Sequence, residues 1–492
     1  MDATSPPLAA APLTHGEIRS IIVGIILAML LAALDQTIVA TALPTIGRDL
    51  GDPQHMPWIV TSYLLAATAV TPLYGKLSDI HGRRVVLLSG IAIFVVGSIA
   101  CALAPTMLTL ILARTLQGLG GGGLISLAQT IIADVVAPRE RARYQVYIAG
   151  VFVSSSLLGP VLGGLFADHL HWSVIFWINL PLGLLAYWMT SRALKHLPRH
   201  ERPHRLDLLG AALLVGATVT ILLALSWGGL SYPWLSAPIL GLFAGSAVLW
   251  FALAARLRSA SEPFISAAIL ANPVVRAGTL AAGFGMGTYI GLTIYMPVYF
   301  EAMLGFSASG SGLALIPLMI GTVLGATASG RAMARVRHYR RIPVVGLSVA
   351  IAGTAILVAM PQGLPFVGLE VLLAAISLGL GTLLPVSTVS IQNAVEPHEL
   401  GTATGVANFF RQIGGAFIVA VLGAIVLSGV PVSAGASHET LAGTMRGGGD
   451  LTGVFRLMFA AALTGFALAL VFLLRMEERP LRSGAEPAPV TE

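Results

Sequence analysis

The sequence predicts an all-α protein that crosses a membrane fourteen times. Its 492 residues are 56% hydrophobic and only 10% charged, with a mean hydropathy of +0.86, whereas soluble proteins carry about 25% charged residues. Apolar stretches of roughly 20 residues, the length that spans a bilayer as a helix, follow one another along the chain. Because a membrane β-barrel would instead show short segments of alternating polarity, helices are expected.

The predicted spans share this length and are separated by short polar or basic segments. In chain order they cover 20–43, 57–75, 84–104, 107–133, 144–166, 172–191, 207–227, 234–256, 275–300, 310–330, 342–360, 365–390, 402–427 and 452–475. The polar N-terminal segment lacks the pattern of a cleaved signal peptide, so the first span is expected to be a retained helix.

The chain repeats itself in parallel orientation. The segment from Gly118 to Arg143 resembles the segment from Gly379 to Thr402, and these lie in the fourth and the twelfth spans. A repeat of this kind predicts two six-helix halves related about the membrane normal, with two additional helices between them. The predicted domains are a tail at 1–19, a bundle at 20–191, a basic linker at 192–206, the additional pair at 207–256, a second bundle at 257–475 and a tail at 476–492. Asp207 is the expected N-cap of the additional pair.

Basic residues predict the orientation. If both termini are cytoplasmic, all but five of the 28 lysines and arginines lie on the cytoplasmic side or its helix ends. Arg48, Arg446 and Arg456 fall on the outer side, and Arg114 and Arg411 fall within spans. The net charge of +6 is thereby explained without a nucleic-acid partner.

Glycines in the fourth span match the G-x-G-x-x-G pattern of a dinucleotide loop at Gly118, Gly120 and Gly123. Such a loop must follow a β-strand and open a helix, whereas these residues lie inside an apolar span. They are expected to let a neighbouring helix approach closely or to let their own helix bend. The single Cys101 and the absence of clustered ligands argue against a metal site, so neither a cofactor nor a metal is expected.

Five segments resemble signatures of the major facilitator superfamily. Gly75–Arg84 is similar to its motif A, Arg114–Gly123 to motif B and Gly150–Gly164 to the antiporter motif C. Leu34–Ile46 and Trp177–Gly183 resemble signatures of the fourteen-helix drug:proton antiporter branch. The resemblance covers almost the whole chain and implies two helical bundles around a central cavity that opens alternately to either side.

A proton-coupling pair is expected at Asp35 and Arg114. Asp35 is the only carboxylate deep in the first span, and such residues usually mark function. Counted from Pro44 and Met107 at 1.5 Å per residue, the two side chains lie at similar depth, roughly 10–13 Å from the outer ends. Burial favours the protonated form of a carboxylate and a nearby arginine favours the ionised form, so the balance can change during transport. The alternative is a permanent structural salt bridge.

Further polar residues within or near spans are candidates for the substrate cavity or for gating. Gln117 could join the pair, and Arg411, about 15 Å into the thirteenth span, could contact Asp35, a backbone carbonyl or an anionic part of the substrate. A structural network is equally compatible with Arg411. Glu301 and Glu370 could attract cations at the outer mouth, or could be solvated helix ends.

Motif A implies a gate on the cytoplasmic side. In the family its aspartate, here Asp79, faces a helix N-terminus of the opposite half, an interaction of roughly 0.3–1 kcal/mol or more. Gly75 and Gly82 would allow the tight turn, and Arg83 and Arg84 also serve as topology signals. Topology alone would explain the arginines but not the aspartate.

Motif C places small residues around a proline in the fifth span: Gly150, Gly159, Pro160, Gly163 and Gly164. Such a segment allows close packing and bending. Its link to antiport comes from the resemblance alone, and a simple kink is the alternative.

These features together predict a proton-driven exporter of hydrophobic or cationic drugs in the bacterial cytoplasmic membrane, and not an enzyme. An exporter of an endogenous lipid, siderophore or other metabolite is the alternative, and an uptake symporter is disfavoured by motif C. The expected partners are a small-molecule substrate, protons and the lipid bilayer, and a periplasmic adaptor protein is a further candidate partner.

Overall fold

A computed structural model describes residues 15–196, 206–428 and 451–481. Most of both predicted tails and residues 197–205 of the linker at 192–206 lie outside the described residues. The same holds for four of the basic residues assigned to the cytoplasmic side and for one assigned to the outer side: Arg199, Arg202, Arg205, Arg482 and Arg446.

Fourteen helical segments long enough to cross a bilayer occupy the described residues, which contain no β-strand. The first eight are α1 (His15–Asp49), α2 (Met56–His81), α3 (Arg83–Ala102), α4 (Met107–Gly121 and Leu124–Val135), α5 (Pro138–His169), α6 (Val174–Trp177 and Asn179–Ala193), α7 (Leu208–Trp227) and α8 (Ala237–Ser259). The other six are α9 (Pro273–Leu304), α10 (Ile316–Met333), α11 (Arg341–Ala359), α12 (Phe366–Gly381 and Leu383–Asn393), α13 (Leu400–Ser428) and α14 (Leu451–Arg475). Short helices at Ala267–Ala271 and Ala308–Leu313 precede α9 and α10.

The predicted all-α membrane fold is confirmed. Among the described residues, 13 helices are both long and apolar enough to span a membrane. The fourteenth, α9, is a continuous helix of 32 residues. It contains several glycines, which lower its mean hydropathy without shortening it.

Two features of the helices differ from the prediction. Pro44 does not end α1, which continues through it to Asp49, because a proline removes one backbone hydrogen bond but need not stop a long helix that is packed on its neighbours. Spans 4 and 12, each drawn as one apolar stretch, are divided at Gly122 and Thr382. The two breaks fall within one residue of each other in the internal repeat, and the one in span 4 agrees with the expectation that its glycines let the helix bend.

Each half of the chain has its own apolar core. In the first half, residues of α1, α3 and α4 such as Ile25, Leu87 and Leu127 are fully buried together. The second half buries an aromatic cluster from α9 and α14, in which Tyr299 contacts the rings of Phe455 and Phe459 edge-on. The two bundles are thus separately stabilised and meet along a limited set of helices.

The additional helices α7 and α8 pack against each other and against both bundles. Asp207 caps α7 by accepting a hydrogen bond from the Gly210 amide at 3.0 Å, which confirms the predicted N-cap, and it pairs with Arg256 of α8 at 3.1 Å. Trp250 of α8 contacts the rings of Phe409 and Phe410 on α13. The pair therefore forms an extra layer on the α13 side of the molecule.

The glycines of motif C divide into two groups by their surroundings. A β-carbon at Gly159 or Gly163 would overlap α1, at Thr37 and at Thr41 together with the backbone carbonyl of Ile38. Gly150 and Gly164 have open space instead, and Pro160 is exposed. Close packing of α5 on α1 therefore depends on two of the four glycines.

We expect Gly163→Ala to destabilise the protein and Gly164→Ala not to do so. The first substitution forces α5 away from α1, and overpacking of this kind costs about 1–3 kcal/mol. The second meets no atom within 4 Å and gains helix propensity. Thermal unfolding of the two purified variants tests this, and equal unfolding midpoints would contradict the packing assignment.

Candidate functional site

The structure brings Asp35 of α1 and Arg114 of α4 into direct contact. Arg114 Nη1 donates to Asp35 Oδ2 at 2.6 Å, and the two side chains are 1% and 0% exposed. Asp35 lies 14 residues before the end of α1, which corresponds to about 21 Å along the helix. The pair is therefore sealed inside the first bundle, far from either end of α1.

Two amides complete the surroundings of the carboxylate. Gln117 Nε2 and Asn179 Nδ2 each donate to Asp35 Oδ1 at 2.8 Å, and Gln117 Oε1 accepts a hydrogen bond from Arg114 at 2.7 Å. Asp35 thus accepts three hydrogen bonds, one of them charge-assisted. One arginine and two amides, from α4 and α6, therefore surround the carboxylate.

Other groups hold the donors in place. Arg114 Nε donates to the Ile59 carbonyl at 3.1 Å, and the guanidinium lies 4.3 Å from the Tyr63 ring centroid, a cation–π contact. Asn179 also donates to Ser98 Oγ at 3.0 Å, which donates to the Phe176 carbonyl at 2.9 Å. The arginine and the amide are each held from a second side and aimed at Asp35.

Asn179, Ser98 and Tyr63 were not predicted as site residues. Asn179 lies in Trp177–Gly183, which the sequence offered only as a family signature. Its polar side chain in an apolar span was a usable signal, because polar groups inside a membrane are costly and usually face a partner. The residues around Tyr63 and Ser98 in the sequence gave no comparable signal.

Arg411 of α13 does not join the Asp35 cluster. It lines a small cavity together with Thr279 of α9, Gln392 of α12, Asn408 of α13 and Gln129 of α4. In the part of the chain that the structure describes, no carboxylate or hydrogen-bond acceptor is paired with its guanidinium. Of the alternatives given for Arg411, pairing with Asp35 is thus not seen in this conformation.

The two outer glutamates lie apart in the fold. Glu301 is near the C-terminal end of α9 and accepts a hydrogen bond from Ser311 at 2.9 Å. Glu370 is in the first turns of α12, and its Oε1 atom is buried with no hydrogen-bond partner among the described residues. The donors to Asp35 come from α4 and α6 and not from either region.

Asp79 at the end of α2 contacts the beginning of α13 in the other half. Its carboxylate accepts hydrogen bonds from the Gly401 amide at 3.0 Å, the Thr402 amide at 2.7 Å and the Thr402 hydroxyl at 2.6 Å. Free amides at a helix N-terminus favour a negative charge. The two halves are therefore joined at this end of the molecule by a charge-assisted contact.

The remaining residues of motif A shape this contact. A β-carbon on Gly75 would overlap the Gly401 carbonyl, and Gly82 has φ +86°, which favours glycine. Arg83 pairs with Asp79, and it also pairs with Asp134 of α4 at 2.8 Å. Arg84 donates instead to the Ser191 carbonyl at 3.2 Å, so it supports the first bundle and not the contact between halves.

Polar side chains extend the contact between halves deeper into the protein. Gln129 of α4 accepts hydrogen bonds from Asn408 at 2.8 Å through its side chain and from Gln392 at 3.2 Å through its carbonyl. Thr68 of α2 donates to Gln412 of α13 at 2.9 Å. These contacts, none of them expected from the sequence, close the molecule at the Asp79 end.

Comparison with known proteins agrees with this geometry. A family model described as Major Facilitator Superfamily matches residues 25–208 and 189–419. The chain belongs to the major facilitator superfamily. It is 34% identical over 406 residues to the multidrug transporter protein MdtP of Bacillus subtilis, covering 82% of this chain and 75% of that protein. It is 35% identical over 410 residues to multidrug resistance protein 3 of the same organism, covering 83% and 79%.

Solved structures of major facilitator proteins share the fold. The human organic anion transporter MFSD10 (TETRAN) aligns with a TM-score of 0.65 and 17% identity over 94% of this chain and 100% of that one. The proton:xylose symporter XylE aligns with a TM-score of 0.64 and 14% identity, over 95% and 98%. At these identities only the fold is shared. Family and fold together make this major facilitator protein a multi-pass membrane transporter and not an enzyme.

We expect Asp79→Asn to weaken the contact between halves and to expose the interface behind it. Hydrogen bonds to a charged group are worth about 1.5–3 kcal/mol, so an open conformation should gain about tenfold or more in population. Ala403, fully buried at this interface, can be replaced by cysteine in a Cys101→Ala background. Its reaction with a membrane-impermeant maleimide, added on the Asp79 side, should accelerate accordingly.

Asp134→Asn is the matched control, because it makes the same chemical change beside Arg83 without touching α13. Its effect on labelling should be small. If Asp79→Asn leaves the labelling rate of the Ala403→Cys protein unchanged, Asp79 does not hold the two halves together.

Proposed function

We propose that this protein is a proton-driven exporter of hydrophobic or cationic compounds. The observation that carries the proposal is the fully buried carboxylate of Asp35, held by one arginine and two amides inside the first bundle. Ionisable residues placed so deep in a membrane usually belong to transport pathways. That two similar proteins are named as multidrug transporter and multidrug resistance protein supports export of drug-like compounds.

The coupling step follows from the hydrogen bonds of Asp35. While Arg114, Gln117 and Asn179 all donate to it, an added proton would cost at least one donor its acceptor. When helices of the first bundle shift in the state open to the outside and one or more donors withdraw, the carboxylate takes up a proton from that side. Protonation from the outside and release to the inside would then accompany each outward passage of substrate.

The Asp79 contact controls access to the cavity from one side of the membrane. With Asp79 bonded to Gly401 and Thr402 the protein is closed on that side, and we assign that side to the cytoplasm because motif A and most basic residues lie there. We therefore propose that both termini are cytoplasmic and that the protein lies in the cytoplasmic membrane of a bacterial cell. The Asp35 cluster lies wholly within the first bundle, so its donors withdraw only when helices of that bundle shift relative to one another.

We expect Asp35→Asn to abolish proton-driven export while leaving the protein folded. Asparagine keeps the size of the side chain but cannot exchange a proton. Proteoliposomes with an imposed proton gradient and a fluorescent lipophilic cation as substrate measure this directly. Asp207→Asn, at a carboxylate that only caps α7 and pairs with Arg256, is the control and should retain export. Undiminished gradient-driven export by Asp35→Asn would refute coupling through this residue.

Arg114→Gln should move the acid limb of the pH–export profile towards higher internal pH. The arginine favours ionised Asp35, so without it the carboxylate holds its proton more tightly and releases it only at a lower proton concentration. Export lost at neutral pH should therefore return partly at alkaline internal pH.

Arg114→Lys keeps the charge but not the planar group that bonds Asp35, Gln117 and Ile59 together, so it should retain part of the activity near the normal pH. A profile of Arg114→Gln that superimposes on that of the unmodified protein would make Arg114 a purely structural charge.

A further inference from the structure

The Arg411 guanidinium occupies an unusual position for a charged group. It lies 11 residues from the start of α13, about 16 Å along the helix, which places it near the middle of the bilayer. Charged groups at this depth normally pair with an opposite charge or a backbone carbonyl. Across the described ranges of the chain, Arg411 is paired with neither, in contrast to Arg114.

Besides Arg411, the described walls of its cavity carry no charged side chain and combine polar residues with the apolar Ala282, Ile391 and Ala407. They include two hydroxyls, Thr279 Oγ1 on α9 and Ser387 Oγ on α12, which are buried and have no hydrogen-bond partner among the described residues. Buried polar atoms without partners are rare, since each costs about 1–3 kcal/mol. Both hydroxyls can donate a hydrogen bond into the cavity that Arg411 lines.

The amides of the same cavity are already engaged. Asn408 Nδ2 donates to Gln129 Oε1, and Gln392 Nε2 donates to the Gln129 carbonyl and to Thr404 Oγ1 at 3.4 Å. Beside these amides, the described lining holds one unpaired positive charge and two buried hydroxyls without a partner, and no carboxylate. A cavity with surplus donors and surplus positive charge is suited to an anion.

We propose that this cavity binds a small anionic group through Arg411, Thr279 and Ser387. The group is a carboxylate carried by the exported molecule or a free monovalent anion such as chloride. As a carboxylate site, this rests on the proposed function, and it extends the substrate class to compounds that bear an acidic group on an apolar body. The small size of the cavity suits the acidic group alone, with the rest of the molecule outside it.

The position of the cavity links its occupant to the contact between halves. Three of its walls come from the second bundle, and the fourth is Gln129 of the first bundle, which bonds Asn408 beside Arg411. An anion bound here would compensate the charge of Arg411 where the two halves meet. It would therefore stabilise the conformation that is closed at Asp79.

Anion binding can be measured without a proton gradient, so its failure is separable from failure of the proposed function. Purified protein in lipid nanodiscs is unfolded by heat in sodium chloride, in sodium benzoate and, as reference, in the bulky sodium HEPES salt at equal ionic strength. Anions that bind only the folded protein raise the unfolding midpoint. We expect chloride or benzoate to do so for the unmodified protein, and Arg411→Gln to lose the response.

Arg456→Gln is the matched control, because it removes the same charge from an exposed position on α14, and it should respond like the unmodified protein. Arg411→Lys should keep part of the response. A response to benzoate alone assigns the site to carboxylates, and a response to chloride assigns it to free anions as well. Equal midpoints in all three salts for the unmodified protein, or an unchanged response in Arg411→Gln, would overturn the proposal.

Should Arg411→Gln not fold, Thr279→Val and Ser387→Ala test the same site. They keep the guanidinium and remove the two unpartnered hydroxyls, so the midpoint in the HEPES salt should hold or rise while the response to the anion weakens. An anion response in both variants equal to that of the unmodified protein would contradict a site built on these hydroxyls.

Discussion

The contact between Asp35 and Arg114 is the constraint on which the first bundle is built. Removing one partner of a buried ion pair costs about 3–5 kcal/mol, because the other charge is left uncompensated. The chain meets this constraint by supplying Gln117 and Asn179 to Asp35, and Ile59 and Tyr63 to Arg114. Four helices of one bundle, α1, α2, α4 and α6, thereby meet around one ion pair.

Helix α4 connects this cluster to the contact between the halves. Its first segment carries Arg114 and Gln117, and its second carries Gln129 and Asp134, which reach Asn408 of the other half and Arg83 beside Asp79. The break at Gly122 separates the segments, and an equivalent break occurs in α12. A change of angle at Gly122 would alter both sets of contacts together, which gives a physical route from the proton to the gate.

Much of this arrangement could be predicted from the sequence, because the bilayer restricts what a chain can do. Spanning length and apolar composition identified the fourteen helices. The pairing of Asp35 with Arg114 was expected, although the depth of Asp35 was counted from Pro44, which does not end α1. The ends of helices were harder to predict from the sequence. Helix α1 continues through Pro44, and α4 breaks at glycines that a hydropathy pattern treats as part of one span.

The convergence of Tyr63, Ser98 and Asn179 on the pair depends on how three further helices rotate about their axes, and local sequence does not determine that rotation. Likewise, motif A implied a helix N-terminus as the partner of Asp79, but the amides of Gly401 and Thr402 were identified only by the packing of α2 on α13.

The central claim is that the carboxylate of Asp35 releases a proton when substrate binds and takes one up when substrate leaves. The most direct test is to add substrate to the purified protein in weakly buffered solution and to follow the pH with an indicator dye. We expect substrate binding to release protons from the unmodified protein in the acidic part of the range, and Asp35→Asn to bind substrate without release. Binding without any proton release by the unmodified protein across the pH range, or equal release by Asp35→Asn, would contradict the claim.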